Sequence, residues 1–168
     1  MGDNDIIDCL PALYRYARVL TRDQDDAQDL LQEALLRAHE RRASYVAGRP
    51  LRNWLFAILR NCFIDCGRRR RSEAARIDTL RLIVPDHDPG AQEHAALLAQ
   101  IGRRFEMLPT AQREVLHLVA VEGLSYADAA EALEVPVGTV MSRLSRARAM
   151  LREAKAESGA LRLVKGED

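Results

Sequence analysis

The chain has 168 residues, room for one ordinary domain or two small ones and too little for a large catalytic architecture such as an α/β barrel. Apolar residues make up 48%, enough for real cores, while aromatics are only 5% and Gly and Pro number 9 and 6; this mix favours small helical bundles over sandwiches. The 25 basic and 25 acidic side chains cancel, so bulk charge predicts neither a polyanion partner nor a disordered tail, and the distribution along the chain must decide.

A first helix is predicted from about Asp5 to Thr21, a second from Asp25 to Arg42 and a third from Pro50 to Arg71. On the second, Ala27, Leu31, Ala34, Leu35 and Ala38 recur at helical spacing, with Asp26, Asp29, Glu33, Arg37 and Glu40 on the other side. On the third, Leu51, Leu55, Ile58, Cys62 and Cys66 trace an apolar stripe, so packing accounts for both thiols. Periodicity fades from Ser72 to Gly90, where Pro85, Asp86, Asp88, Pro89 and Gly90 cluster as turn formers and a linker is expected.

The helical pattern resumes with Ala91, Ala95, Leu98, Ile101, Phe105 and Leu108, and Pro109 ends it. Thr110 is a candidate cap for a helix carrying Val115, Leu116 and Val119, closed at Gly123 by a left-handed residue. Ser125, three before Asp128, has capping-box spacing and starts a helix through Leu133; Pro136 suits the first turn of another, running to about Lys155. The expectation is an all-α fold of two small helical domains, residues 5–71 and 91–157, joined by a flexible linker over 72–90.

No run of about 18 apolar residues is present to span a bilayer. The acidic start, Met1 to Asp8, lacks the basic and apolar regions of a secretory signal, so a cytoplasmic location is expected. Cys9, Cys62 and Cys66 cannot all pair within the chain and show neither CxxC nor zinc spacing, which reads as reduced thiols. His39, His87, His94 and His117 have no mutual metal spacing, and no metal or cofactor is expected.

Charge is strongly patterned by segment. Arg49 to Arg71 holds seven arginines against Asp65 alone, four of them consecutive from Arg68, and Val140 to Lys155 holds five basic residues against Glu153. Acid gathers at Asp23 to Glu40 and across the linker. A codon bias towards arginine explains the type of cation, but not four in succession at the end of an apolar helix. Basic helix faces of this kind are the footprint of phosphate contact, where each neutralised phosphate releases counterions.

The stretch SYADAAEALEVPVGTVMSRLSRARAML, Ser125 to Leu151, has the form of a helix-turn-helix. Ala129 and Ala130 permit close helix approach, Val135 plugs the turn, and Val140, Leu144, Ala147 and Leu151 form the buried stripe. Thr139, Ser142, Arg143 and Arg146 are left on the open side, candidates for base edges and phosphates in the major groove. Free backbone amides at the Gly138 helix start favour a phosphate there.

These residues resemble a bacterial group 4, or extracytoplasmic function (ECF), RNA polymerase sigma factor of the sigma-70 family. Leu108 to Glu153 resembles sigma region 4, which recognises the minus-thirty-five element. DAQDLLQEALLRAHE, Asp26 to Glu40, resembles regions 2.1 to 2.2, and RPLRNWLFAILRNCFIDCGRRRR, Arg49 to Arg71, resembles regions 2.3 and 2.4. The resemblance implies that Asp29, Gln32 and Glu33 dock the polymerase β′ clamp. It implies that Asn53, Trp54, Asn61, Asp65, Arg68, Arg69 and Arg70 open and read the minus-ten region, with Trp54 as an aromatic platform for an unpaired base. The implied partners are core RNA polymerase, through its β′ clamp and β flap, promoter DNA and an anti-sigma factor; no catalytic group is implied. The additional regions 1.1 and 3 of larger housekeeping factors have no counterpart here, which implies a narrow set of promoters. Trp54 also fits a core anchor between helices.

Two rivals stand beside this reading. A helix-turn-helix regulator acting without core polymerase would favour palindromic half-sites. A nuclease would use Asp23, Asp25, Asp26, Asp29 and Glu33 as a divalent-metal site, but no His or Lys lies nearby in sequence to complete the chemistry, and helix starts carry acids for dipole reasons.

Overall fold

The computed structural model describes residues 3–74 and 102–164, which form helices and their connections with no strand among them. Helix α1 is Asp3–Thr21, α2 is Gln24–Glu40, a 3-10 turn covers Arg42–Ser44, and α3 is Leu51–Ala74. Helix α4 is described over 102–107. Helix α5, Thr110–Leu116, continues into a π-helical turn, His117–Val121, and α6, Tyr126–Ala132, and α7, Val137–Val164, follow. Helix α3 runs past its expected end at Arg71 and takes in the start of the expected linker; 75–90 and the expected opening of the second unit over 91–101 lie outside the described residues.

In the first unit α1 buries Ala12, Leu13, Tyr16, Ala17 and Leu20, a single face at helical spacing. Arg22, with φ 63, closes α1 in the left-handed region, its N–H bonded to the Arg18 carbonyl at 2.9 Å. The next residue, Asp23, caps α2 by accepting from the Asp26 amide at 2.9 Å. Buried on α2 are Ala27, Leu30, Ala34 and Ala38, so the small side chains let it lie close against α1 and α3. Leu31 and Leu35, expected at the centre of this face, pack half-buried at its edges, and Leu30 takes the central place. From α3, Leu55, Phe56, Ile58, Leu59 and Cys62 complete the core.

In the second unit the recognition motif forms as its sequence dictates. The Ser125 side chain accepts from the Asp128 amide at 3.1 Å and its hydroxyl meets the Asp128 carboxylate at 2.5 Å, while Gly123 takes φ 73 before it. Ala129, Ala130, Leu133, Val140, Leu144 and Ala147 are buried, and Val135 and Leu151 pack against them. Thr110 does not cap α5 from outside: it is the first helical residue, and Pro109 holds the cap position without a side-chain bond.

The two units share one continuous buried cluster. Tyr16 is its hub: fully buried, its ring meets Phe56 edge-on at 5.3 Å and stacks on His117 of the second unit at 5.9 Å and 8°. Buried Arg113 ties the units from the other side, donating to the Val19 carbonyl at 2.7 Å and the Leu108 carbonyl at 3.0 Å, and Arg22 donates to the same Leu108 carbonyl at 3.2 Å.

Candidate nucleic-acid and polymerase interface

On the solvent side of α2, Asp29 and Gln32 are exposed and Glu33 is half-buried. Glu33 pairs with Arg37 at 2.9 Å, and Arg37 reaches across to Asp65 of α3 at 2.7 Å. This bond to Asp65 holds the Arg37 guanidinium above its ordinary value, so the charge is fixed. Asp29 and Glu33 line a cavity of about 410 Å³ together with Phe63, Cys66 and Arg69. Residues expected to serve polymerase therefore share a wall with one expected to serve DNA.

Along α3, Asn53 and Trp54 line a second cavity, of about 330 Å³, with Tyr45 and Arg49; the Trp54 ring lies 5.5 Å from that of Tyr45. Trp54 is half-buried against the core, so it is both an edge anchor and a cleft wall. The opposite wall comes from the second unit, through Asp128, Glu131 and Ala132. Asn61 donates to Glu134 at 2.9 Å, and Arg68 and Arg69 are exposed at the helix end. The Arg70 side chain lies outside the described residues.

On α7, Ser142 and Arg146 are exposed and Thr139 is half-buried, with the Ser142 hydroxyl donating to the Thr139 carbonyl at 3.0 Å. Arg143, expected on the open side, is also half-buried. It lies within the field of buried Glu114, whose carboxyl is raised by burial and held partly in check by Arg60, Arg143 and Arg113. Arg60 is 3.9 Å from Glu114, an ion pair without a hydrogen bond.

The polar junction between the units is built from residues spread over more than a hundred positions, which hides it from any reading by segment. Glu122, whose side chain has no exposed area, receives a two-pronged bond from Arg15 at 2.9 and 3.0 Å and a further pair from Arg52, which also donates to the Glu122 carbonyl at 3.0 Å. His117 Nε2 lies 3.1 Å from the same carboxylate without the alignment of a bond. Burial first, then the cations Arg15 and Arg52, push this imidazole down to about 4 and keep it neutral; the Glu122 oxygens already serve two guanidinia. The hint available in sequence was a run of ionisable residues, Arg113, Glu114, His117 and Glu122, on an otherwise apolar segment.

Among the described residues no group of three His, Cys, Asp or Glu side chains converges to hold a metal ion, and no helix is long and apolar enough to cross a membrane. Cys9, Cys62 and Cys66 are free thiols; burial raises Cys9 and Cys62 above the ordinary range, so neither is an activated thiolate.

The family pattern Sigma-70 region 2 matches residues 6–73, and Sigma-70, region 4 matches 98–151. The ECF RNA polymerase sigma factor EcfG of Rhodopseudomonas palustris is 39% identical over 148 residues, 88% of this chain and 81% of that protein. SigM of Mycobacterium tuberculosis is 39% identical over 139 residues, 83% and 69% of the two chains. Among solved structures, the sigma factor RpoE of Bartonella quintana, in complex with the anti-sigma factor NepR, is 35% identical and superposes with a TM-score of 0.78 over 91% of this chain and 95% of that one. The capped helix-turn-helix, the acidic α2 beside a cationic α3, and these matches in the same order along the sequence establish that the chain belongs to the ECF sigma factors of the sigma-70 family.

Proposed function

We propose that this chain is an alternative sigma factor that binds core RNA polymerase and directs it to promoters, with the work divided between residues 5–71, a linker over 72–90 and residues 91–157. Asp29, Gln32 and Glu33 dock the β′ clamp by opposite charge, and the second unit meets the β flap. Asn53, Trp54, Asn61, Asp65 and Arg68 to Arg70 open and read the minus-ten element; Thr139, Ser142, Arg143 and Arg146 read the minus-thirty-five element. No catalytic group belongs to the chain itself, and it works in the cytoplasm, where the template is. An anti-sigma factor controls it, a reading supported by the complex formed by the Bartonella quintana relative.

The observation that carries this reading is the pairing of Trp54 and Asn53 in one cleft at the start of a helix that later exposes Arg68 and Arg69. A flat aromatic face beside an amide suits an unpaired base, and the cations suit the backbone leading from it. Weak contacts at two promoter elements become selective when both are tethered to one polymerase. Run-off transcription with purified core on a promoter library tests it. Discrete transcripts are expected only when the chain and core are both present; shifted palindromic DNA without core would favour the regulator reading instead.

A further inference from the structure

Glu114 is a buried carboxylate without a close partner. It lies on α5 with 5% of its surface exposed, yet its one ion pair among the described residues, with Arg60 of α3, is 3.9 Å long and beyond hydrogen-bond reach, and the buried Arg60 Nε has no hydrogen-bond partner. Arg113, next to it in sequence, commits its guanidinium to the Val19 and Leu108 carbonyls. A charge buried in this way is costly unless a cation answers it. Arg143 is placed to do so. It stands on α7, which packs on α5, three residues after Val140 and four before Ala147, both fully buried, so its stem starts at the edge of the seam between the two helices and the residue is half-buried there. We infer that Glu114 is a positioning residue for minus-thirty-five reading, its carboxylate holding one edge of the Arg143 guanidinium so that the other edge is presented to a base in the groove. This rests on the function proposed above, in which Arg143 is a reader.

The chemistry of the pair supports the assignment. A guanidinium is planar, with its N–H donors in a fixed fork, so it can give one edge to a carboxylate and still offer parallel donors to guanine O6 and N7. An arginine with no such hold samples many rotamers, which must be given up when it binds. The electrostatics run in the same direction: burial raises the Glu114 carboxyl, and Arg60, Arg143 and Arg113, in that order, counter the rise.

The test is run-off transcription by the full chain and core polymerase on a promoter library whose minus-thirty-five element is randomised, each template carrying a transcribed barcode that is sequenced. Wild type is compared with Glu114→Gln, Arg143→Ala, the two combined, and Arg146→Ala. Glu114→Gln is expected to flatten the base preference at the position that Arg143→Ala flattens, by roughly fivefold, the order of the rotamer freedom of one long side chain. The combined variant should be no flatter there than Arg143→Ala alone, and the position flattened by Arg146→Ala should keep its wild-type preference in Glu114→Gln. A merely structural loss would lower transcription from every template alike. Such a uniform loss, unchanged preferences, or an effect of Glu114→Gln that adds to that of Arg143→Ala would overturn the inference. Should the amide unfold the bundle by circular dichroism, Glu114→Asp carries the same test, since it withdraws the carboxylate by one methylene; flattening is expected at the same position, and its absence counts against the inference. An Arg143→Ala profile equal to wild type would remove the reader and the inference with it, whereas wild type that yields no transcripts with core would sink the sigma-factor reading itself.

Discussion

His117 gives the sharpest quantitative expectation, because its ring is buried between Tyr16 and a junction of two arginines. Its folded value near 4 lies below the ordinary 6.5, so the unfolded chain binds more protons in between. Stability from the neutral imidazole is therefore complete above about pH 6.5 and is lost as pH falls towards 4. For a 2.5-unit difference the single-site linkage gives a loss of about 2 kcal/mol between pH 7 and pH 5, at about 1.36 kcal/mol per unit. Urea unfolding of wild type and His117→Phe at both pH values isolates this contribution, since phenylalanine keeps the stacking surface and has no proton to gain. The wild-type free energy should fall by about 2 kcal/mol more than that of the variant. Equal losses, or an imidazole titrating near 6.5 by NMR in the folded chain, would refute the reasoning.

Other substitutions probe the remaining surfaces. Arg113→Met removes the charged donor of the Val19 carbonyl and one of the two at the Leu108 carbonyl, which keeps Arg22, and should cost about 3 kcal/mol in urea unfolding, two such bonds at about 1.5 kcal/mol each. Arg146→Ala on the exposed face of α7 should weaken transcription from promoters with an intact minus-thirty-five element about tenfold, one lost base contact, with core affinity unchanged in a pull-down. Charge reversal by Asp29→Arg with Glu33→Arg should abolish core binding while circular dichroism stays helical; retained core affinity would show the acidic face to be misassigned.

Many helix positions were legible from local rules, although the cap expected from Thr110 falls to Pro109 and the central place expected for Leu31 falls to Leu30. Ser125 and Asp128 had capping-box spacing and form the cap, Gly123 takes the left-handed conformation its type allows, and Val140, Leu144 and Ala147 are buried as their spacing requires. Asn53 and Trp54 were found as neighbours in sequence and line one cleft. What periodicity could not supply was the packing of one unit on the other. Arg15, Arg52, His117 and Glu122 each look like ordinary surface residues in their own helix, and their meaning arises only when distant segments meet. Arg143 is half-buried for the same reason: the helix wheel leaves it open, but neighbouring α5 supplies buried Glu114.

Arg37 stands between two duties. Its two terminal nitrogens are divided between Glu33 on one helix and Asp65 on the next, so neither acid can change company without altering what the other is offered. A protein that captures Glu33 frees one prong of this fork, and a base that draws on Asp65 frees the other. On the roles proposed above for Glu33 and Asp65, the polymerase contact and the template contact share one cation, so a change on one flank of the bundle reaches its neighbour through a single side chain.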